Sequence, residues 1–226
     1  MVKTLALTPT SSILWSAQHG GLMNVWAHLP IDVIGGPFCR MHRAMKAAMP
    51  PEPPQIRTAT PDDVTHLVTV VHAAYRDPDD RGWTTEADLL GGQRIDAAML
   101  EEILGSPGTT VLVAETDGRI VGCGAVSLGD PPTATFGMFA VHPTHQGLAI
   151  GHQLLEAAEQ RAAESGCVAM DLDVIDIRTE LIAWYGRRGY VPTGATKPFP
   201  YGDRRFGIPR RDDLRFTTLS KRLSGP

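Results

Sequence analysis

Chemistry in this chain concentrates at one junction. Met138 to Ile150 reads MFAVHPTHQGLAI and runs on into GHQLLEAAEQRA, so an apolar strand hands over to an amphipathic helix through a turn that carries Gly147. The first N–H groups of a helix have no intrahelical partner and sit at the positive end of the aligned peptide dipoles, a combination that suits a pyrophosphate without any metal. The expected donors are the amides of Gly147, Leu148, Ala149, Ile150 and Gly151, with Gly147 letting the backbone approach a phosphate.

The residues around this junction are Ala140, Val141, His142, Pro143, then Gln146, Gly147, Leu148, Ala149, Ile150 and Gly151. They resemble the GNAT superfamily of acyl-CoA N-acyltransferases, whose pattern is a strand ending A-V-x-P followed by [QR]-G-x-G-x-[GA]. Ala149 stands where that family has its middle glycine. If the position requires positive φ, its Cβ costs about 1 kcal/mol; at negative φ the change is nearly neutral. A second match follows at the expected distance: DVIDIRTELIAWYGRRGYVPTG is similar to the family's strand, tyrosine-bearing helix and G-[FY] sequence. The resemblance covers roughly residues 56 to 222. It implies acetyl-CoA as the donor, an amine as the acceptor, and direct attack with no covalent enzyme intermediate.

Residue by residue, the resemblance places Phe139, Ala140 and Val141 on a strand whose main chain pairs with the pantetheine arm like an added strand. One N–H there would face the carbonyl oxygen that gains charge during attack. Gln146 would shape the phosphate loop. Tyr185 falls on the family's tyrosine, which protonates the departing thiolate. A phenol that is protonated at neutral pH suits that role, and packing beside Trp184 is the competing explanation. An amine with pKa near 10.4 is neutral in only about one molecule in two thousand at pH 7, so a base is required. Glu86 is the first candidate, because GWTTEADLL lies in the segment that borders the acceptor cleft in the family. Asp88, Glu115 and Asp173 are rivals, and Glu86 as a surface or capping carboxylate is the alternative.

Other residues stay open at this level. Many family members carry asparagine at Arg178; here the arginine could bind a coenzyme phosphate or an acidic substrate group, or be a solvated residue at a helix start. Trp83, Tyr75, Phe199 and Tyr201 could line an aromatic acceptor wall or be ordinary core. The FPYGDRRFGIPRRDD stretch is either an acceptor-side loop or a solvated connection. His142 and His145 read as loop residues, with no metal site expected.

These groups need a scaffold, and the sequence outlines one. A strand begins near Ile56. Thr60, Pro61, Asp62 and Asp63 start a helix with a capping side chain, an early proline and acids at its positive end. Its buried stripe is Val64, Leu67, Val68, Val71 and Tyr75. RGWTTEADLLGGQR suggests an irregular connection or broken helix before a helix near Ile95 to Leu104. A hairpin of Thr110–Glu115 and Arg119–Ser127 turns at Asp117-Gly118. Then come strand Thr135–Val141, the cradle helix to about Glu164 with Gly166 as its stop, strand Val168–Ile175 and helix Thr179–Arg188. A strand beginning at Tyr190 and a final strand at Leu214–Lys221 close the chain. No internal repeat is present. This order fits an α/β, α+β-mixed fold: one twisted, mostly antiparallel sheet with a splayed parallel central pair and helices on both faces, as the resemblance implies.

With 226 residues, 42% hydrophobic content and a formal charge of -4, the chain supports one enzyme domain and an appendage. That balance gives no basis for nucleic-acid or membrane affinity, and no run of 18 apolar residues occurs. The domain is expected over residues 55–226. Residues 1–54 form an extension, which reads as an upstream-start artefact before Met49, a disordered tail or a packing arm, with a proline-rich linker from Pro50 to Pro54. Cys39, Cys123 and Cys167 are widely spaced and form no C-x-x-C pair, which points to free thiols in a cytoplasmic protein. The expected function is acetyl transfer to a primary amine of a small molecule. The alternatives are a protein N-terminal or lysine acetyltransferase and a non-catalytic acyl-CoA-binding module motivated by Ala149 and Arg178. A homodimer is compatible with all three.

Overall fold

Strand alternation explains the core. In a computed structural model of the chain, which describes residues 53–76, 82–129 and 132–224, strands β3 (Thr109–Thr116) and β4 (Arg119–Leu128) form the expected hairpin. Val111 and Val113 point to one face of the sheet, Leu112 and Ala114 to the other, and all four are buried. Each face therefore needs its own layer of helices. The expected extension over residues 1–54, with Cys39 and the early methionines, lies almost wholly outside the described residues.

Helix α1 (Val64–Tyr75) covers the face of Val111 and Val113, burying Leu67, Val70, Val71 and Ala74, and α2 (Ala97–Gly105) adds Leu100. The other face is covered by α3 (Ile150–Glu164), through Ile150, Leu154, Leu155, Ala158 and Ala162, and by α4 (Thr179–Gly186), through Tyr185. The seven-stranded sheet has the order β1-β3-β4-β5-β6-β9-β7, where β1 is Gln55–Thr58, β5 Thr133–Val141, β6 Ala169–Ile175, β7 Val191–Pro198 and β9 Arg215–Arg222. Every neighbouring pair is antiparallel except β5 and β6. The architecture is the mixed one expected, with the parallel pair at its centre.

The start of α1 shows how local residues fix an element. Thr60 N–H donates to Asp63 at 2.7 Å, and Arg57 on β1 grips the same carboxylate through two nitrogens at 2.7 and 2.9 Å. Arg57 also reaches Glu115 on β3, so one cluster ties the first strand, the helix start and the hairpin. The guanidinium of Arg57 holds the Asp63 carboxyl far below the usual carboxylate range.

RGWTTEADLLGGQR forms turns, not a helix, across its described part, and it contributes Leu90–Gly91 (β2) to a two-stranded ribbon with Ile208–Pro209 (β8). The FPYGDRRFGIPRRDD stretch is thereby paired to the segment that follows α1. Cys123 and Cys167 are free and buried, and burial pushes the Cys123 thiol up to about 12. No helix among the described residues is long and apolar enough to cross a membrane.

Candidate functional site

Strands β5 and β6 pair only from Thr133–Thr135 to Ala169–Asp171, and beyond that point no ladder joins them. On its other side β5 stays bonded to β4, but its register shifts between Ala140 and Gly137, and Met138 adopts φ 46. A bulge of this kind bends the strand and re-aims its groups. Two buried side chains brace it from the opposite helix layer and the neighbouring strand. The Tyr75 hydroxyl, at the end of α1, donates to the Phe139 carbonyl, and the Cys123 thiol points to the Met138 carbonyl at 3.5 Å. The Phe139 ring turns into the gap and meets Phe136, Trp184 and Tyr185 with centroids 5.2, 5.7 and 6.4 Å away.

The turn after β5 carries the cradle. Gln146 is its fastener: its amide nitrogen donates to the Val141 carbonyl and to Thr84 Oγ1, both at 3.0 Å, and its oxygen accepts from the Trp83 N–H at 3.0 Å. Gly147 takes φ 81 and Ala149 φ 61, after which α3 begins. The N–H groups of Gly147, Leu148 and Ala149 have no partner among the described residues, and those of Ile150 and Gly151 open the helix. Burial, and then the nearby charge of His142, hold the His145 imidazole below its ordinary value, so its charge does not govern the cradle at neutral pH. Thr144 Oγ1 bridges the two rings, to His142 at 2.8 Å and His145 at 2.9 Å, as loop residues do.

Left-handed backbone at a residue with a Cβ costs about 1 kcal/mol. Ala149→Gly is therefore expected to stabilise the fold by about that amount and to raise the melting temperature by roughly 3 °C, measured by thermal denaturation. An unchanged or lower midpoint would place the strain elsewhere. The methyl does not close the turn: the cradle opens on a cleft of about 350 Å³, bounded by Gln146, Gly147, Ala149, Gly151, Phe139, Val141, Trp83 and Trp184. That volume lies within the range of small-ligand sites.

The sequence profile described as the Acetyltransferase (GNAT) family matches residues 68–190, which begin within α1, include the cradle and end at Tyr190. The chain belongs to the GNAT acetyltransferase family. An "IAA acetyltransferase" of Azospirillum brasilense is 34% identical over 103 residues, 45% of this chain and 65% of that protein, so the chain matches less than two thirds of that relative's length. Among solved structures, the ribosomal-protein-S18-alanine N-acetyltransferase of Escherichia coli overlays with TM-score 0.58 at 14% identity, covering 76% of this chain and 96% of that one. YncA of Salmonella typhimurium, described with its cofactor acetyl-CoA, overlays with TM-score 0.54 at 21% identity over 76% and 95%. At these identities the overlays show the fold. The match identifies a domain of the acetyltransferase family, whose donor is acetyl-CoA.

On that scaffold Tyr185 is buried, with 4% of its surface exposed, against Phe139, Trp184 and Tyr190. Its hydroxyl has no hydrogen-bond partner among the described residues. Burial pushes its pKa well above the ordinary phenol value, so it stays protonated. Arg188 stacks on Trp184, 3.5 Å from the ring centroid, at the cleft edge.

Arg178 corrects the reading of a solvated helix-start residue. Its side chain is 9% exposed, and it donates to the Thr84 carbonyl at 3.0 Å, to Trp83's at 3.5 Å and to Glu86 at 3.4 Å. Arg76 holds the other oxygen of Glu86 at 3.1 Å. Of the rival bases, Glu115 is paired with Arg57, and Asp173 is shared between Thr218 and Lys197, each at 2.7 Å on the far strands. The four aromatics proposed as one wall separate. Trp83 lines the cleft and Tyr75 braces its floor, whereas Phe199 is buried with Leu90, Ile175 and Leu214 and meets Tyr201 and Phe206 edge-on. Hydrophobic burial decides for Phe199, which packs with Leu90 of β2, Ile175 and Leu214, while Tyr201 stays exposed.

Proposed function

We propose that this GNAT protein transfers the acetyl group of acetyl-CoA to a primary amine of a small molecule by direct attack, with the coenzyme held in the cleft between β5 and α4. One observation carries the reading: the strands part beyond Thr135, and the opening they leave ends on unpartnered amides at Gly147–Ala149. The diphosphate sits on those amides and the first turn of α3, where helix dipoles favour negative charge. Pantetheine runs along Phe139, Ala140 and Val141 toward Tyr185, on the side of β5 where β6 no longer pairs with it.

The amine attacks the thioester carbon, the carbon–sulfur bond breaks, and Tyr185 gives its proton to the departing sulfur. The amine's proton leaves through a base or a water chain to one; Glu86, the carboxylate expected from sequence to take it, lies two residues beyond Thr84 with its oxygens divided between Arg76 and Arg178. A small-molecule acceptor draws on the relative named as an IAA acetyltransferase. The test is thiol release from acetyl-CoA across a panel of small amines and of peptides with free α-amino or lysine groups. Amine-dependent release is the expected result. Release with peptides alone would move the acceptor to protein, and acetyl-CoA binding without release would overturn catalysis.

A further inference from the structure

Trp83 and Thr84 line one wall of the cleft, yet the segment from Trp83 to Glu86 belongs to no helix and contributes no strand. What holds it is a set of contacts from three directions. From the cradle, Gln146 grips the Trp83 N–H and Thr84 Oγ1. From α1, the Tyr75 carbonyl accepts from Glu86 N–H at 3.1 Å, and Ala74's accepts from Thr84 Oγ1 at 3.3 Å. From the start of α4, Arg178 caps the Trp83 and Thr84 carbonyls.

Glu86 joins the second and third of these. Its two oxygens are divided between Arg76 and Arg178, side chains that are 7% and 9% exposed, and its own is 12% exposed. Both guanidiniums are therefore buried beside a single carboxylate. Arg76 keeps two further nitrogens, Nε and Nη2, buried with no partner among the described residues. Burial lowers the Arg76 pKa and the neighbouring Glu86 raises it again, so removing the carboxylate would strand two desolvated cations.

We infer that Glu86 is a positioning residue: the Arg76–Glu86–Arg178 clamp fixes the Trp83–Thr84 wall against the cradle, and the carboxylate is held by this clamp instead of serving as the base. The arginine at position 178, where many family members carry asparagine, is long enough to reach both the wall carbonyls and Glu86, which gives the clamp its second arm. The inference rests on the coenzyme occupying this cleft, and the readouts separate the two ideas.

Glu86→Gln keeps shape and removes charge. Its affinity for CoA, measured by calorimetry with the full chain and free of any acceptor, is expected to fall about tenfold, with a parallel rise in the acetyl-CoA KM. The acidic limb of its kcat/KM profile is expected to stay at the wild-type pH, and Glu86→Asp to recover most of the affinity. Arg178→Asn is expected to weaken CoA binding similarly, and the double variant to lose less than the two effects combined. It also reads the clamp from its other arm should Glu86→Gln fail to fold. Loss of the acidic limb in Glu86→Gln would make Glu86 the base and overturn the inference, as would wild-type CoA affinity in either single variant. Failure of the wild-type chain to bind CoA would instead overturn the functional reading.

Discussion

Tyr185→Phe is expected to lower kcat by about a hundredfold or more while leaving fold and coenzyme affinity nearly unchanged, the range lost when a positioned proton donor is removed. Two features separate chemistry from packing at this residue. The ring makes the contacts, edge-on to Trp184 and Tyr190 and tilted against Phe139, and phenylalanine keeps that ring. The hydroxyl is bonded to no described residue, so its removal breaks no hydrogen bond among the described residues. A melting temperature within about 2 °C of wild type should accompany the lost turnover, consistent with a change well under 1 kcal/mol. The pH dependence follows from the raised pKa. The folded protein holds this proton more tightly than the unfolded chain, so the donor survives as pH rises through 10, where a free phenol is half ionised. Ionisation of Tyr185 is thus expected to cause no decline in kcat up to pH 10. The same linkage contributes stability below pH 10 that is lost as pH climbs toward the folded pKa. Undiminished kcat in Tyr185→Phe with every accepted amine would remove the phenol from the mechanism.

How much was legible depended on whether the deciding partner was near in sequence. The cradle is local: strand, glycine turn and helix start are consecutive, so Gly147 and the amides through Gly151 follow from residue order. The consequence of Ala149 needed one dihedral that sequence does not give, and φ 61 settles it on the strained side. Tyr75 was marked as an apolar-face residue and a possible member of an aromatic wall, and its bracing role was not legible because the carbonyl it binds is 64 positions away on a bulge. Arg178 was left open between a ligand contact and a solvated helix start for the same reason, its partners lying 92 to 95 positions earlier. β7 is a different case. VPTGATKP shows no alternation and is exposed throughout, so it has no pattern to read beyond its first residues; it exists as an edge strand because β9 offers it a ladder. The two-residue strands β2 and β8 are too short for any period to register.

Gly151→Leu is expected to weaken acetyl-CoA binding by about a hundredfold, near 2.7 kcal/mol, with turnover falling in step at low coenzyme concentration. Gly151 is the second residue of α3, and its side-chain direction leads into the cleft. Even a Cβ there would come 3.0 Å from Phe139 Cζ, 3.6 Å from Val141 Cγ2 and 3.7 Å from Trp184 Cζ2. The first contact is tighter than a settled core allows, so Phe139 must yield by a few tenths of an ångström, and the rest of a leucine side chain has only the coenzyme's space to fill. The helix itself tolerates the change, since leucine is a better helix former than glycine by close to 1 kcal/mol, which offsets part of the crowding. A folded protein with a defective cleft is therefore the expected product, distinguished from a misfolded one by circular dichroism. Wild-type affinity in this variant would mean that the coenzyme does not pass between the start of α3 and the Phe139–Trp184 pair, and the proposed path for pantetheine would fall with it.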